Sequence, residues 1–228
     1  MSDLKEIMTG IRGVLFDVDG TLIDSMGLWA DVDRIYLSRR GMAMPADLSH
    51  KLSGISVSQA ADYFREVLGI RESPEAMISE WNALAYEQYR YHVPAKEDAV
   101  HLLQTLTEMG IPMAVGTSNT RQLAMTVLEV LDLKKYFQVI LTGEDVLKGK
   151  PDPYIYQEAA AKLGVDARDC LVFEDIPNGI RAGLAAGART CAVYDLFSEG
   201  ETEEMKGLAH YYIRSFRDLF TGEAQKLR

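Results

Sequence analysis

Cysteine is scarce in this chain of 228 residues: there are two, Cys170 and Cys191, far apart and each beside an apolar run. That excludes a disulfide scaffold. The two read as reduced, buried thiols of a cytoplasmic protein, with a single disulfide as the weaker alternative. Histidine is hardly commoner. His50, His92, His101 and His210 are scattered without metal-ligand spacing, so each reads as a surface or packing residue. An excess of positive charge is also missing, since 24 Lys and Arg face 34 Asp and Glu for a formal net charge of −10. This argues against a nucleic-acid backbone or an anionic membrane as the main partner, and an anionic substrate would need a local cation. No apolar run approaches the length of a membrane span, and the opening "MSDLKEIMTG" carries no apolar stretch of the kind a secretory signal needs. There is no internal repeat and no low-complexity segment.

What is present is an ordinary globular composition, 47% hydrophobic and 25% charged, long enough for one large domain or two modest ones. Short apolar runs recur: "GVLF", "IPMAVG", "FQVILTG", "CLVF", "TCAVY" and "HYYI". Between them apolar residues fall at helical spacing, as in Ala99, Leu102, Leu103, Leu106 and Met109, a helix that Gly110 then stops. Strands that are short and almost wholly apolar, alternating with helices, predict an α/β fold with a doubly wound parallel sheet. Residues 24–94 break the alternation. They hold no convincing strand, are too long for a loop, and read as several helices inserted between the first strand and the next core helix. The expected division is a core of residues 1–23 and 95–228 and a helical domain of 24–94, with joints near Leu22–Ser25 and His92–Lys96. The polar tail "TGEAQKLR" is expected to fray.

The chemistry-bearing residues follow the strands. After "VLF" come Asp17 and Asp19, after "AVG" come Thr117, Ser118 and Asn119, and after "LVF" come Glu174 and Asp175. In an open parallel sheet these positions meet at one edge, where ligands bind. "KGKPDP" adds Lys148 and Lys150 before a helix start, a ready anion site. Four carboxylates in one crevice need a counter-charge, and a hard divalent cation such as Mg²⁺ suits them. A cation, a lysine, a hydroxyl and an exposed carboxylate together make a phosphoryl-transfer site, in which one carboxylate can attack phosphorus and its neighbour can move a proton.

"DVDGT", "TSN", "GKPDP" and "FEDIPNGIRAGLAAG" resemble, in order and spacing, the four signature motifs of the haloacid dehalogenase-like hydrolases. The likeness spans residues 11–194, and the insertion after the first motif resembles the α-helical cap of the β-phosphoglucomutase-like branch. The resemblance implies a Rossmann-like core and a set of roles. Asp17 would be the nucleophile. Asp19 would be the general acid/base, with its backbone carbonyl on Mg²⁺. Thr117, with Ser118 and Asn119, would bind phosphoryl oxygens, and Lys150 would pair with the phosphoryl group and Asp17. Glu174 and Asp175 would anchor the metal.

Asp19 favours phosphate esters over carbon–halogen bonds, because a leaving alkoxide needs a proton. The mutase pattern has a cap histidine where this chain has Trp29, and a cap arginine where it has Val57. The sequence therefore predicts a phosphatase acting on a small monoester, a sugar phosphate or a nucleoside monophosphate. A phosphoglucomutase and a non-catalytic binding module are the alternatives. Trp29, Gly54, Ile55, Ser56 and Arg65 are candidates for substrate choice, whereas Trp81, Tyr86, Tyr89 and Tyr91 read as cap core. The expected partner is a small-molecule phosphate ester, with no nucleic acid and no membrane, met by a monomer or weak dimer.

Overall fold

The computed structural model describes residues 3–52 and 55–228. A short helix, α1 (Asp3–Ile7), precedes β1 (Gly13–Phe16), and four helices follow without a strand: α2 (Met26–Ser38), α3 (Leu48–Leu52), α4 (Val57–Glu66) and α5 (Pro74–Tyr91). The alternation then begins with α6 (Ala99–Glu108), β2 (Met113–Gly116), α7 (Arg121–Val130) and β3 (Val139–Leu141). It continues through α8 (Tyr154–Leu163), β4 (Cys170–Glu174), α9 (Pro177–Ala185) and β5 (Arg189–Val193). The chain ends with α10 (Thr202–Leu208), β6 (Tyr211–Ile213), α11 (Asp218–Thr221) and β7 (Gln225–Lys226). Each of the six apolar runs read from the sequence is a strand.

The strands form one sheet in the order β3-β2-β1-β4-β5-β6-β7, parallel throughout except for β7. The chain works outward from β1 to β3, then restarts at β4 on the other side of β1. The switch point therefore lies between β1 and β4, where open α/β sheets bind ligands. Register places the strand ends level: Phe16 pairs with Val115 on one side and Phe173 on the other. Asp17, Thr117 and Glu174 thus emerge at one edge.

Every residue of β1, β2 and β4 is buried, and alternation divides them between two faces. Val14, Phe16, Val115 and Phe173 join the larger core, while Leu15, Ala114 and Val172 pack with Tyr156 and Ala159 of α8. Phe16 stacks on Phe173 with ring centroids 5.1 Å apart, and Phe216 closes on both rings edgewise. The small residues of α9 let it lie close on the sheet: a Cβ at Gly183 would come within 2.9 Å of Thr190 Cγ2.

The helical run is tied to the sheet by two passes of chain that lie side by side. Asp24 N donates to Pro94 O at 3.0 Å, and Lys96 N donates to Leu22 O at 2.9 Å. Lys96 is held in turn by Asp195 at 2.6 Å. Ser56 and Gln59 form a capping box that starts α4, and Ser73 with Pro74 starts α5.

The tail differs from expectation. Gln225 and Lys226 pair antiparallel with Tyr212 and Tyr211, Ala224 N donates to Asp3 Oδ2 at 2.9 Å, and Lys226 meets Glu6 at 3.0 Å. Its residues are polar because they are exposed. What orders them is the row of unpaired backbone groups that β6 would otherwise present as an edge.

The Phe16–Phe173 stack joins the two strands that carry the site. Phe173→Ala is expected to lower the unfolding free energy by about 3–5 kcal/mol in urea denaturation, as a large buried ring is lost beside a rigid sheet.

Candidate active site

At the switch point Lys150 is the centre of a buried ionic cluster. It follows a turn after β3, is 2% exposed, and its Nζ lies 2.5 Å from both Asp17 Oδ1 and Glu174 Oε1. Glu174 Oε1 also accepts from the Tyr156 hydroxyl at 2.5 Å. Asp175 Oδ1 accepts from Thr21 at 3.0 Å. Burial pushes the Asp17 carboxyl up to about 8; Lys150 pulls it back, while Glu174 and Asp19 add to the rise. Burial alone would lower the Lys150 ammonium, but Asp17 and Glu174 outweigh it and hold the group above its ordinary value.

Three carboxylates thus face one ammonium. One oxygen each from Asp17, Glu174 and Asp175 lies within 4.8 Å of the others. Glu174 Oε2 and Asp175 Oδ2 are buried and have no hydrogen-bond partner. Unpartnered buried carboxylate oxygens, converging and under-compensated in charge, fit a hard divalent cation. The Asp19 carboxylate lies outside this cluster, so its implied metal role would rest on its backbone carbonyl.

Asp19 is aimed elsewhere. Its Oδ1 accepts from Ser25 at 2.6 Å and from the Tyr89 hydroxyl, and its Oδ2 accepts from Asn119 Nδ2 at 2.9 Å. Tyr89 in turn accepts from Trp29 Nε1 at 2.8 Å and Asn119 Nδ2 at 2.9 Å. Two acids one residue apart therefore sit in different surroundings, one against lysine and cation ligands, the other against neutral donors from α2, α5 and the β2 turn. Thr117 Oγ1 accepts from Asn119 N at 3.1 Å, and Asn119 Oδ1 from Thr120 N at 2.7 Å. The N-cap of α7 is Thr120, so Thr117, Ser118 and Asn119 precede the cap at a helix start.

These groups open onto a cavity of about 510 Å³ between the strand ends and the helical run, lined by Asp17, Asp19, Thr117, Ser118, Asn119, Lys150 and Asp175 on the sheet side. Trp29, Ile55, Phe64 and Trp81 line it on the helical side. At its rim His50 Nδ1 lies 2.7 Å from Glu201. Of the other residues singled out from the sequence, Ser56 is buried as the N-cap of α4, Arg65 and Lys148 are exposed, and Gly54 lies outside the described residues.

Several residues here were not legible as site residues. Tyr89 reads as core from its spacing with Trp81 and Ala85, and it is fully buried, yet its hydroxyl ends on Asp19. Tyr156 reads as part of a plain helix face. Gly179 reads as turn-forming, but a Cβ there would fall 1.9 Å from Glu174 Cδ, so the bare glycine leaves room for the carboxylate at the start of α9. Asp33 stands one turn beyond Trp29 on α2, half-buried in the cavity wall. Burial pushes its carboxyl up to about 7.

The class defined by this fold and site is a Rossmann-like α/β enzyme with two acids after its first strand and a lysine and a carboxylate pair facing them. A family model described as haloacid dehalogenase-like hydrolase matches residues 14–193, and the chain belongs to that family. It is 34% identical over 184 residues to the bifunctional riboflavin kinase/FMN phosphatase of Arabidopsis thaliana, covering 80% of this chain and 48% of that protein, so it spans about half of that relative's length. It is 32% identical over 184 residues to hexitol phosphatase A of Escherichia coli strain K12, covering 80% of this chain and 82% of that one. A solved hydrolase from Pseudomonas syringae superposes with a TM-score of 0.77 at 28% identity, over 91% of this chain and 95% of that one. The protein is an enzyme, a phosphatase of this hydrolase family. No helix among the described residues is long and apolar enough to cross a membrane.

Gly179→Ala should displace Glu174 and weaken Mg²⁺ binding by about tenfold or more in isothermal titration calorimetry. A second expectation concerns pH. Burial holds the Asp33 carboxyl at about 7 in the folded chain, whereas in the unfolded chain it returns to the ordinary carboxylate value of 3.8. Stability therefore falls as pH rises through that window. Asp33→Asn removes this component, so relative to wild type it should gain about 2 kcal/mol between pH 5 and pH 8 in urea denaturation.

Proposed function

We propose that the enzyme hydrolyses a small phosphate monoester, a sugar phosphate in particular, with Mg²⁺ and through a phosphorylated Asp17. The observation that supports this most strongly is the divergence of the two acids: Asp17 is held by Lys150 at 2.5 Å, while Asp19 is held by Ser25, Tyr89 and Asn119. In the first step an Asp17 carboxylate oxygen bonds to phosphorus as the ester oxygen leaves, and Asp19 gives that oxygen its proton. In the second, water attacks the phosphorus of the acyl phosphate, Asp19 takes the water's proton, and Asp17 departs as carboxylate with release of inorganic phosphate. Lys150 and the Thr117, Ser118 and Asn119 turn hold the phosphoryl oxygens, and Lys150 keeps Asp17 oriented. Asp17, Glu174 and Asp175 would hold Mg²⁺, which when bound offsets the negative charge of the three acids and the phosphoryl group.

Residues 24–94 serve as a cap over this site in the same reading, with 1–23 and 95–228 as the core. The paired passes at Leu22–Asp24 and Pro94–Lys96 are the place where it would pivot, excluding water while the acyl phosphate exists. The likeness to hexitol phosphatase A supports a sugar phosphate over a nucleotide. A bisphosphate mutase is disfavoured, because among the described residues lining the cavity Lys150 is the one lysine or arginine. A cytoplasmic location fits two buried, free cysteines.

Hydrolysis of an aryl phosphate should require Mg²⁺, stop on addition of EDTA, and fall by about 10³-fold or more in Asp17→Asn. An Asp17→Asn variant as fast as wild type would remove the nucleophile, and no turnover of any ester by wild type would favour a binding module instead.

A further inference from the structure

The two buried carboxylates at the end of β4 share one pattern of partners. In each, a hydroxyl from another element takes one oxygen, and the second oxygen is left open. Glu174 Oε1 accepts from the Tyr156 hydroxyl on α8 at 2.5 Å and pairs with Lys150 Nζ at 2.5 Å. Glu174 Oε2 is buried with no hydrogen-bond partner among the described residues. Asp175 Oδ1 accepts from Thr21 Oγ1 at 3.0 Å, and Asp175 Oδ2 is likewise buried and unpartnered. Tyr156, Thr21 and Glu174 are fully buried, and Asp175 is 1% exposed. The Tyr156 ring has little freedom to move. A Cβ at Gly116 would come within 3.0 Å of its Cε1, so the ring lies tight against β2, and Lys150 Nζ stands 5.2 Å from its centroid. A pairing that served only to answer buried charge would leave neither oxygen bare, since an ionised carboxylate accepts at both. Here Glu174 Oε1 has two donors and Oε2 has none.

We propose that Tyr156 and Thr21 are positioning residues whose hydroxyls make Glu174 and Asp175 one-oxygen ligands, and that this favours Mg²⁺ over Ca²⁺. The inference rests on the Mg²⁺ requirement of the proposed phosphatase and concerns how the chain selects that ion. Mg²⁺ demands a near-octahedral shell and is held through single carboxylate oxygens together with waters and substrate oxygens. Ca²⁺ accepts a larger and less regular shell and takes carboxylates through one oxygen or through both. A carboxylate with one oxygen already committed to a hydroxyl cannot chelate through both, so the mode of binding open to Ca²⁺ alone is closed. Both hydroxyls are neutral. They fix the acids without answering their charge, and three carboxylates facing one ammonium keep their attraction for a divalent ion. Gly179 completes the arrangement on the far side of Glu174, where a side chain would displace the carboxyl. Positioning groups behind metal ligands act in this way, by fixing which atom of the ligand is offered.

The test titrates the full chain with MgCl₂ and, separately, with CaCl₂ in a calorimeter, for wild type, Tyr156→Phe and Thr21→Val. Each substitution keeps the shape of the side chain and removes the hydroxyl; the phenylalanine ring stays against β2 and Lys150. In each variant the Mg²⁺ dissociation constant should rise about tenfold, while that for Ca²⁺ should change by less than about threefold, so that the preference for Mg²⁺ falls. Urea denaturation without metal shows which variants are folded. The two hydroxyls come from separate elements, so if one variant does not fold the other decides. An equal loss for both metals in a folded variant, which is what a merely structural role produces, overturns the assignment of that residue. Binding of both metals as in wild type overturns it too. If wild type itself binds neither Mg²⁺ nor Ca²⁺, the Mg²⁺ requirement of the proposed function is overturned, and the inference with it. If wild type binds Mg²⁺ and the ratio is unmoved in the folded variants, the inference alone is overturned.

Discussion

The buried ammonium of Lys150 is the interaction on which the rest of this structure depends. It is 2.5 Å from Asp17, which reaches the cavity by only a small part of its surface, and from Glu174, which is fully buried. Removing two carboxylates from water at the end of a sheet costs several kcal/mol each unless the charge is answered on the spot. Lysine answers part of it, Tyr156 and Thr21 supply hydrogen bonds, and the open oxygens of Glu174 and Asp175 leave the remainder to a cation. The same lack of compensation that would destabilise a structural cluster would make this one receptive to a cation, as the proposed function requires.

The second organising feature is that Asp19 belongs to the helical run as much as to the sheet. Ser25 opens α2 and Tyr89 closes α5, and both give their hydroxyl protons to one carboxylate. Asn119 links that carboxylate and Tyr89 to the phosphate-facing turn. The position of the Asp19 carboxylate is thus set by the arrangement of helices over strands. Movement of the helices away from the sheet would release two of its three donors. If the helical run acts as the proposed cap, its closure and the placement of Asp19 would be one event, tying exclusion of water to readiness for chemistry.

On the proposed reading, substrate choice would sit on the opposite wall. There the helices present aromatic and aliphatic surface, with Asp33, Ser49 and His50 as the polar side chains among it. In that reading the sheet side would take the phosphoryl group, with Lys150 and a cation answering its charge. The helical side would meet the remainder of the substrate. The two are independent enough that one core can serve many substrates by changing its cap residues.

Much of this was legible in the sequence because it is written locally. Apolar runs such as "GVLF" and "CLVF" can bury themselves only as central strands, and the polar residues after each must then emerge at a common edge. Asp17, Asp19, Thr117, Glu174 and Asp175 were singled out that way, Lys150 by its place before a helix start, and the helical character of residues 24–94 by its lack of strand patterns. Legibility ended where a residue's role depends on what folds against it. Tyr89, Trp81 and Asp33 lie on helices at ordinary spacing; whether a hydroxyl, an indole N–H or a carboxylate meets a partner, an acid or an open cavity is decided by how α2 and α5 cross over the strand ends. Gly179 matters only because Glu174 lies against it, and the tail pairs only because β6 offers it an edge. The sequence by itself determined which strands form and which chemical groups leave their ends. Tertiary structure alone decided which side chains from distant helices complete those groups, because hydrogen bonds and burial across elements have no signature in residue spacing.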